Sequence, residues 1–176
     1  GLKFDGSSIP GCTNIFNSDM HLTLDFNSFF VNPKIKDQPK SARIFASVYQ
    51  DENVPYPADA RYLLQQAIDD AAKLNYKFYV GPEIEFFLLE KNKSGEVIPW
   101  DSGYYVGAEA HQKHETVQFE MMQALLDNGI MLDKLHHEVA PGQYEFVIGY
   151  NTPMNIADQI ILTKHIIKQI AQNHNL

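Results

Sequence analysis

The strongest constraint on the fold is a strand pattern at residues 81–89 that combines acidic and apolar side chains. Glu83 and Glu85 lie two positions apart and alternate with Ile84 and Phe86. Side chains two positions apart in a β-strand point to the same face, so the two carboxylates share one face. They then lie about 7 Å apart in an apolar neighbourhood, which is unfavourable unless a cation or strong donors neutralise them. The alternative is a half-exposed strand whose glutamates face water.

A second pair of glutamates lies further along the chain. Glu138 and Glu145 fall on the two arms of a predicted strand connection. If both face the side that carries the first pair, four carboxylates converge, and hard oxygen ligands of this kind select Mg²⁺ or Mn²⁺. If they do not, they are outward residues of an exposed hairpin. Glu138 directly follows His136 and His137, one of which could face the same cavity.

Other reactive residues carry weaker signals. Asp5 lies in the segment FDGSSI at residues 4–9, where Ser7 and Ser8 can hold its carboxylate by hydrogen bonds. An ordinary Asx or Ser turn has the same residue pattern. His111 and His114 lie three positions apart at a predicted helix start, and they could share a zinc ion only with two further ligands.

Composition excludes several classes of protein. The formal net charge of −8 over 176 residues has the wrong sign for a chain that binds nucleic acid or an anionic membrane through its overall field. Cys12 is the single cysteine, so the chain can form neither an intrachain disulfide nor a thiolate zinc site. No run approaches the roughly 18 apolar residues that cross a bilayer. We therefore expect a cytoplasmic protein that contacts neither membrane nor nucleic acid.

The order of predicted elements indicates an α+β fold with two parts. Residues 1–52 form a small β unit, with strands predicted at 22–26, 29–31 and 43–49. Two prolines within residues 53–57 oppose regular strand pairing, so we place the boundary there and assign residues 53–176 to a second domain. The overall order mixes strands and helices, and neighbouring strands can be antiparallel, which favours α+β.

The second part alternates helices and strands. A helix begins after the N-cap residue Asp59 and ends near residue 75, and a strand bent at Pro82 follows at 77–90. A second helix is predicted at 114–127, then strands at 132–139 and 143–148, and a third helix that starts at Thr152.

Five segments together resemble glutamine synthetase of the bacterial and archaeal type I family. They are FDGSSI at 4–9, NSDMHL at 17–22, GPEIEFFLLE at 81–90, GYY at 103–105 and HHEVAPGQYEF at 136–146. They occur in the family's order and at compatible distances over essentially the whole chain. The resemblance implies the end of a β-grasp N-terminal domain followed by the first half of the catalytic domain, and hence a part of a longer protein.

The resemblance also implies roles for individual residues. Glu85, Glu138 and Glu145 match the ligands of the metal nearer the substrate glutamate, and Glu83 matches one ligand of the second metal beside the ATP phosphates. Asp5 matches the aspartate that reaches into the neighbouring subunit's site and helps bind and deprotonate ammonium. A further match, Tyr104, lines that pocket. The family assembles as a dodecamer of two stacked hexameric rings, so we expect a homo-oligomer.

The implied reaction is ATP-dependent ligation of ammonia to glutamate through a γ-glutamyl phosphate. Phosphoryl transfer of this kind requires divalent ions, here Mg²⁺ or Mn²⁺. Further metal ligands and the phosphate-binding arginines of the family lie downstream, so we expect the 176 residues to be inactive alone. Cys12 departs from the family, which usually carries an aromatic residue there. The alternatives are a γ-glutamyl ligase for another amine and a non-catalytic structural relative.

Overall fold

Short antiparallel sheets and three helices make up the chain, as the α+β prediction requires. The computed structural model describes residues 2–34, 39–107 and 111–176, and of residues 111–114 the backbone alone. The strands are β1 (Leu2–Asp5), β2 (Asp19–Val31), β3 (Ala42–Asp51), β4 (Val54–Pro55), β5 (Glu83–Phe87), β6 (Leu89–Lys91), β7 (Val97–Pro99), β8 (Leu132–His137) and β9 (Gln143–Ile148). The helices are α1 (Ala60–Lys73), α2 (His111–Asp127) and α3 (Pro153–Asn173). Within the described residues, none of the helices combines the length and hydrophobicity of a membrane-spanning segment.

One compact unit contains residues 2–30, 42–78 and 153–155. Its sheet has the strand order β1-β2-β3-β4. Helix α1 begins at its predicted cap, where Asp59 accepts a hydrogen bond from the Tyr62 backbone N–H at 3.1 Å. Arg61 attaches this helix to the sheet, because its guanidinium pairs with Asp25 on β2 and lies 5.6 Å from the centre of the Phe45 ring on β3.

Strand β2 is longer than predicted. The sequence suggested two strands at 22–26 and 29–31 with a polar turn between them, whereas β2 runs unbroken from Asp19 to Val31. Local hydrogen bonds satisfy the polar residues within the strand: Asn27 N–H donates to the Asp25 carboxylate at 3.1 Å. The Ser28 hydroxyl donates to the Asp25 carbonyl and accepts the Phe45 N–H of β3. The prediction of a turn there was wrong, because side chains of this type can bond to the backbone without ending a strand.

The sequence predicted that the prolines at residues 53–57 oppose strand pairing, but a short strand pairs there. Pro55 belongs to β4 and pairs antiparallel with Tyr49 of β3, next to an irregularity between Tyr49 and Asp51. Strand β4 is the last strand of its sheet, and an edge strand tolerates a proline because one side of its backbone needs no ladder partner. The proposed division of the chain at residues 52 and 53 stays a prediction.

A second compact unit contains residues 31–34, 39–41, 79–107, 111–152 and 156–176. Its three-stranded sheet has the order β5-β9-β8, with antiparallel pairing on both sides of the central strand β9. Strands β6 and β7 form a separate hairpin around Gly95, whose φ of 85° suits glycine. The predicted hairpin-like connection through Pro141 and Gly142 is confirmed, because β8 and β9 pair directly across it.

The hydrophobic core of this unit draws on β9 and on both of its helices. The central strand buries Tyr144, Phe146 and Ile148 on one face. Buried residues of α2 and α3 complete the core: Val117, Met121, Leu125, Ile156, Leu162, Ile166, Ile167 and Ile170. Helix α2 ends before Gly129 (φ 73°), and α3 begins with Thr152 and Pro153, both as predicted from the sequence.

Candidate metal centre

Three side chains with metal-binding atoms converge on one face of the β5-β9-β8 sheet. His136 and Glu145 come from paired positions on β8 and β9, and Glu138 comes from the residue after β8 ends. One ligand atom from each of the three lies within 4.8 Å of the others. His136 Nδ1 lies 3.6 Å from Glu138 Oε1, and His136 Nε2 lies 3.7 Å from Glu145 Oε1. These three residues are called the carboxylate cluster below.

Strand register brings the predicted glutamates to the same face. Glu145 lies directly opposite Glu85 on β5 and opposite His136 on β8, and residues paired in this way share a face. Glu83 is two positions before Glu85 and therefore points the same way, as the sequence pattern predicted. The structure thus places carboxylates from separate segments on one face of the sheet, where Glu138 and Glu145 converge with His136. Glu83 and Glu85 are exposed, as in the alternative of a half-exposed strand, and convergence of all four carboxylates on an ion stays a prediction.

The members of this face differ in exposure. Glu145 is 8% exposed, whereas Glu83 and Glu85 are exposed in the chain. The Glu85 carboxylate accepts a 2.7 Å hydrogen bond from the Gln143 side-chain amide. Glu83 and Glu85 therefore lie on the same face as the carboxylate cluster but are not members of it. Their role as metal ligands stays a prediction, as does that of Glu138 and Glu145.

Electrostatics in the cluster favour a positive ligand. Burial raises the pKa of the Glu145 carboxyl above its ordinary value, and the negative charges of Glu83 and Glu138 raise it further. His136 acts in the opposite direction but does not offset them. A buried carboxylate beside other carboxylates is unfavourable until a cation or a proton compensates the charge. Two carboxylates and one imidazole offer three ligand atoms to a divalent ion, so the residues fit a divalent metal without selecting Mg²⁺ or Mn²⁺.

The two remaining predicted site residues lie elsewhere in the chain. Asp5 ends β1, where its carboxylate accepts hydrogen bonds from the Ser7 hydroxyl at 2.6 Å and the Ser7 N–H at 2.9 Å. These bonds lower the pKa of Asp5, and the local turn expected for FDGSSI is present. Tyr104 lies in the loop after β7, where its side chain is largely exposed and its carbonyl accepts the Gly107 N–H. The substrate roles of Asp5 and Tyr104 stay predictions.

Sequence reasoning missed two residues beside the cluster. Tyr105, rather than its neighbour Tyr104, packs edge-on against the His136 ring at a centroid distance of 5.6 Å. The Asp101 carboxylate contacts His137 and Tyr144, whose side chains lie on the opposite face of the β8–β9 hairpin from the cluster. Strand alternation could have selected His136 over His137, because only residue 136 shares a face with residue 138. No local signal marks Asp101.

The zinc alternative at His111 and His114 falls on side chains outside the described residues.

Two family models together match almost the whole chain. Residues 1–51 match the family model described as the glutamine synthetase β-grasp domain. Residues 57–176 match the model described as the glutamine synthetase catalytic domain. The fold likewise matches the cryo-EM structure of Plasmodium falciparum glutamine synthetase with a TM-score of 0.83 at 21% identity, over 99% of this chain and 40% of that one. A GmaS–ADP complex gives the same TM-score at 24% identity, over 99% of this chain and 40% of that one.

Individual relatives have the same assignment. The glutamine synthetase of Thermotoga maritima is 39% identical over 176 residues, which are 99% of this chain and 40% of the relative. That of Thermus thermophilus is 38% identical and is matched over 41% of its length by 99% of this chain. The chain thus spans about 40% of the length of these relatives. With both family models matched in sequence order, the chain belongs to the glutamine synthetase family.

Proposed function

We propose that the intact protein is an ATP-dependent ligase that joins ammonia to glutamate through a γ-glutamyl phosphate. The observation that carries the proposal is the carboxylate cluster on the same sheet face as Glu83 and Glu85. Membership of the glutamine synthetase family supports the reaction class and the substrates. About 60% of the relatives' length has no counterpart in these residues, so we expect the 176 residues to need the remainder for turnover.

The glutamates have separate roles in this proposal. Glu85, Glu138 and Glu145 hold one divalent ion, and Glu83 contributes to a second. When bound, Mg²⁺ or Mn²⁺ supplies the positive charge that stabilises phosphoryl transfer from ATP to a carboxylate. The buried position of Glu145 supports this role, because a carboxylate with little solvent interacts strongly with a cation.

Asp5 is proposed to attract ammonium and to accept its proton, with Tyr104 lining the same pocket. The lowered pKa of Asp5 supports the first task, because the carboxylate stays ionised over a wide pH range. In the family's arrangement, this aspartate comes from a neighbouring subunit, so the proposal includes a homo-oligomer, with a dodecamer as the expected form. We place the protein in the cytoplasm.

Phosphate release by the intact protein tests the proposal. We expect release from ATP only when glutamate, ammonium and Mg²⁺ or Mn²⁺ are all present. Glu85→Ala removes a proposed ligand and is expected to reduce metal-dependent activity by at least about 100-fold, the upper end of the range for outer-shell partners of metal ligands. Glu52→Ala, at an exposed glutamate of the other unit, is expected to leave it unchanged. Both variants are expected to melt within a few degrees of the wild-type protein.

Other outcomes separate the alternatives. Equal turnover with a polyamine in place of ammonium would identify a γ-glutamyl ligase for another amine. Absence of turnover under every condition, in a folded oligomer, would identify a non-catalytic relative. Full activity of Glu85→Ala would remove that residue from the metal site.

A further inference from the structure

Asp101 is a nearly buried carboxylate on the opposite face of the hairpin that carries the carboxylate cluster. Its side chain is 4% exposed. It accepts hydrogen bonds from the Tyr144 hydroxyl, from the backbone N–H of Gly103 at 2.7 Å and from that of Gly142 at 3.3 Å. His137 Nε2 lies 2.8 Å from its Oδ1 atom. A carboxylate with so little solvent is tolerated only when such partners compensate for the lost hydration.

These partners are the immediate neighbours of the cluster. His137 pairs with Tyr144 across the β8–β9 ladder, one rung from the pair formed by His136 and Glu145. The His137 ring also packs edge-on against the Tyr144 ring at 4.9 Å. On its other side, His137 Nδ1–H donates to the Glu138 carbonyl at 2.5 Å. A single carboxylate is therefore linked through His137 to the backbone of Glu138, and it bonds directly to Tyr144, the residue before Glu145.

The same carboxylate also bonds to the loop of residues 101–107. Its bond to the Gly103 N–H fixes the start of that loop, and the Val106 N–H donates to the His137 carbonyl at 3.2 Å. Tyr105, between these two anchors, contacts the His136 ring. Asp101 thus bonds both to the hairpin and to the loop that flank the cluster.

We propose that Asp101 is a positioning residue that, through His137 and Tyr144, holds Glu138 and Glu145 at the separation needed to bind a divalent ion. Asp101 does not touch the ion. The inference rests on the metal site of the proposed function. Groups that orient metal ligands in this way commonly change metal affinity by about 10–100-fold when they are removed.

The test measures Mn²⁺ affinity of the intact protein by electron paramagnetic resonance, well below the melting temperature. Asp101→Asn keeps the shape of the side chain and removes its charge, and we expect the Kd for Mn²⁺ to rise by about 10-fold. Tyr144→Phe removes only the hydroxyl that donates to Asp101, and it serves if Asp101→Asn does not fold. For Tyr144→Phe, we expect the Kd for Mn²⁺ to rise less than it does for Asp101→Asn. Ile166→Val, in the buried core of α3, is the control for a general loss of stability.

A second readout separates positioning from damage to the fold. In Asp101→Asn, excess Mn²⁺ is expected to restore most of kcat while the apparent KM for Mn²⁺ stays raised. Unchanged Mn²⁺ affinity in both Asp101→Asn and Tyr144→Phe would overturn this inference and leave the proposed function intact. An equal loss of affinity in Ile166→Val would overturn it as well. If the wild-type protein bound no Mn²⁺, the proposed function would fail and this inference with it.

Discussion

At the scale of single residues, neighbouring groups move the carboxyl pKa values of Asp5 and Glu145 in opposite directions. Ser7 donates two hydrogen bonds to Asp5 and stabilises its ionised form, so the Asp5 pKa falls. Burial and the charges of Glu83 and Glu138 disfavour the ionised form of Glu145, so its pKa rises. The Asp5 carboxylate therefore stays ionised and can attract a cation from solvent. A bound cation would stabilise the ionised form of Glu145, which burial and its neighbours disfavour.

The source of the Asp5 shift can be tested with two adjacent serines. Ser7→Ala removes the 2.6 Å hydroxyl bond to Asp5, and the pKa of Asp5 is expected to rise toward its ordinary value of 3.8. Ser8→Ala is the matched control, because the Ser8 hydroxyl lies 3.4 Å from the other carboxylate oxygen and is expected to change the pKa less. Titration of the Asp5 carboxyl signal by NMR measures both shifts. A larger shift in Ser8→Ala would contradict this assignment.

At the scale of elements, the turn between β8 and β9 decides whether the glutamates share a face. A slip of one residue in the register would send Glu145 to the opposite face of the sheet. Gly142 in this turn has a φ of 72°, and its carbonyl accepts the Leu88 N–H at 2.8 Å. A Cβ atom at this position would lie 2.8 Å from the Leu88 carbonyl oxygen, so the site requires glycine for two reasons.

Gly142→Ala is expected to destabilise the fold more than Gly95→Ala does. Both glycines have positive φ, which for alanine costs about 1–2 kcal/mol. Gly95 has open space around the added Cβ, whereas Gly142 has the Leu88 clash in addition. Urea denaturation of both variants checks the order, with the larger loss in the free energy of unfolding expected for Gly142→Ala. Equal losses would show that the turn relaxes away from Leu88.

At the scale of the whole molecule, the cluster lies within one of the two compact units. A ligand stabilises the states that bind it, so a bound ion protects the segments whose opening destroys its site. The segments concerned are β5, β8 and β9. The sheet of β1 to β4 belongs to the other unit and supplies none of the three residues of the cluster.

Hydrogen exchange of the intact protein with and without Mn²⁺ tests this expectation. At an ion concentration of 100 times Kd, amides of residues 132–148 that exchange only when the site opens are expected to slow by about 100-fold, equivalent to about 2.7 kcal/mol. Residues 19–31 and 42–51 are expected to exchange at unchanged rates. Uniform slowing across both regions would argue against a local site at the cluster.

Much of the fold followed from local patterns in the sequence. The alternation around Glu83 and Glu85 predicted a shared face, Asp59 and Pro153 marked helix starts, and Gly129 marked a helix end. These signals act between residues a few positions apart, so they can be recognised in the sequence without knowledge of the fold. The turn expected within β2 and the unpaired segment at Pro55 were wrong, because pairing with β3 decided both.

The sequence by itself determined that acidic residues alternate with apolar ones in the segments that make the sheet, and its motifs identified the family. Only the tertiary structure decided which partners those residues have. His136 rather than His137 joins Glu145, and Asp101 bonds to Tyr144 across 43 positions of the chain. Strand register and burial create such contacts, and both depend on how distant segments pack. No pattern within a single segment contains that information.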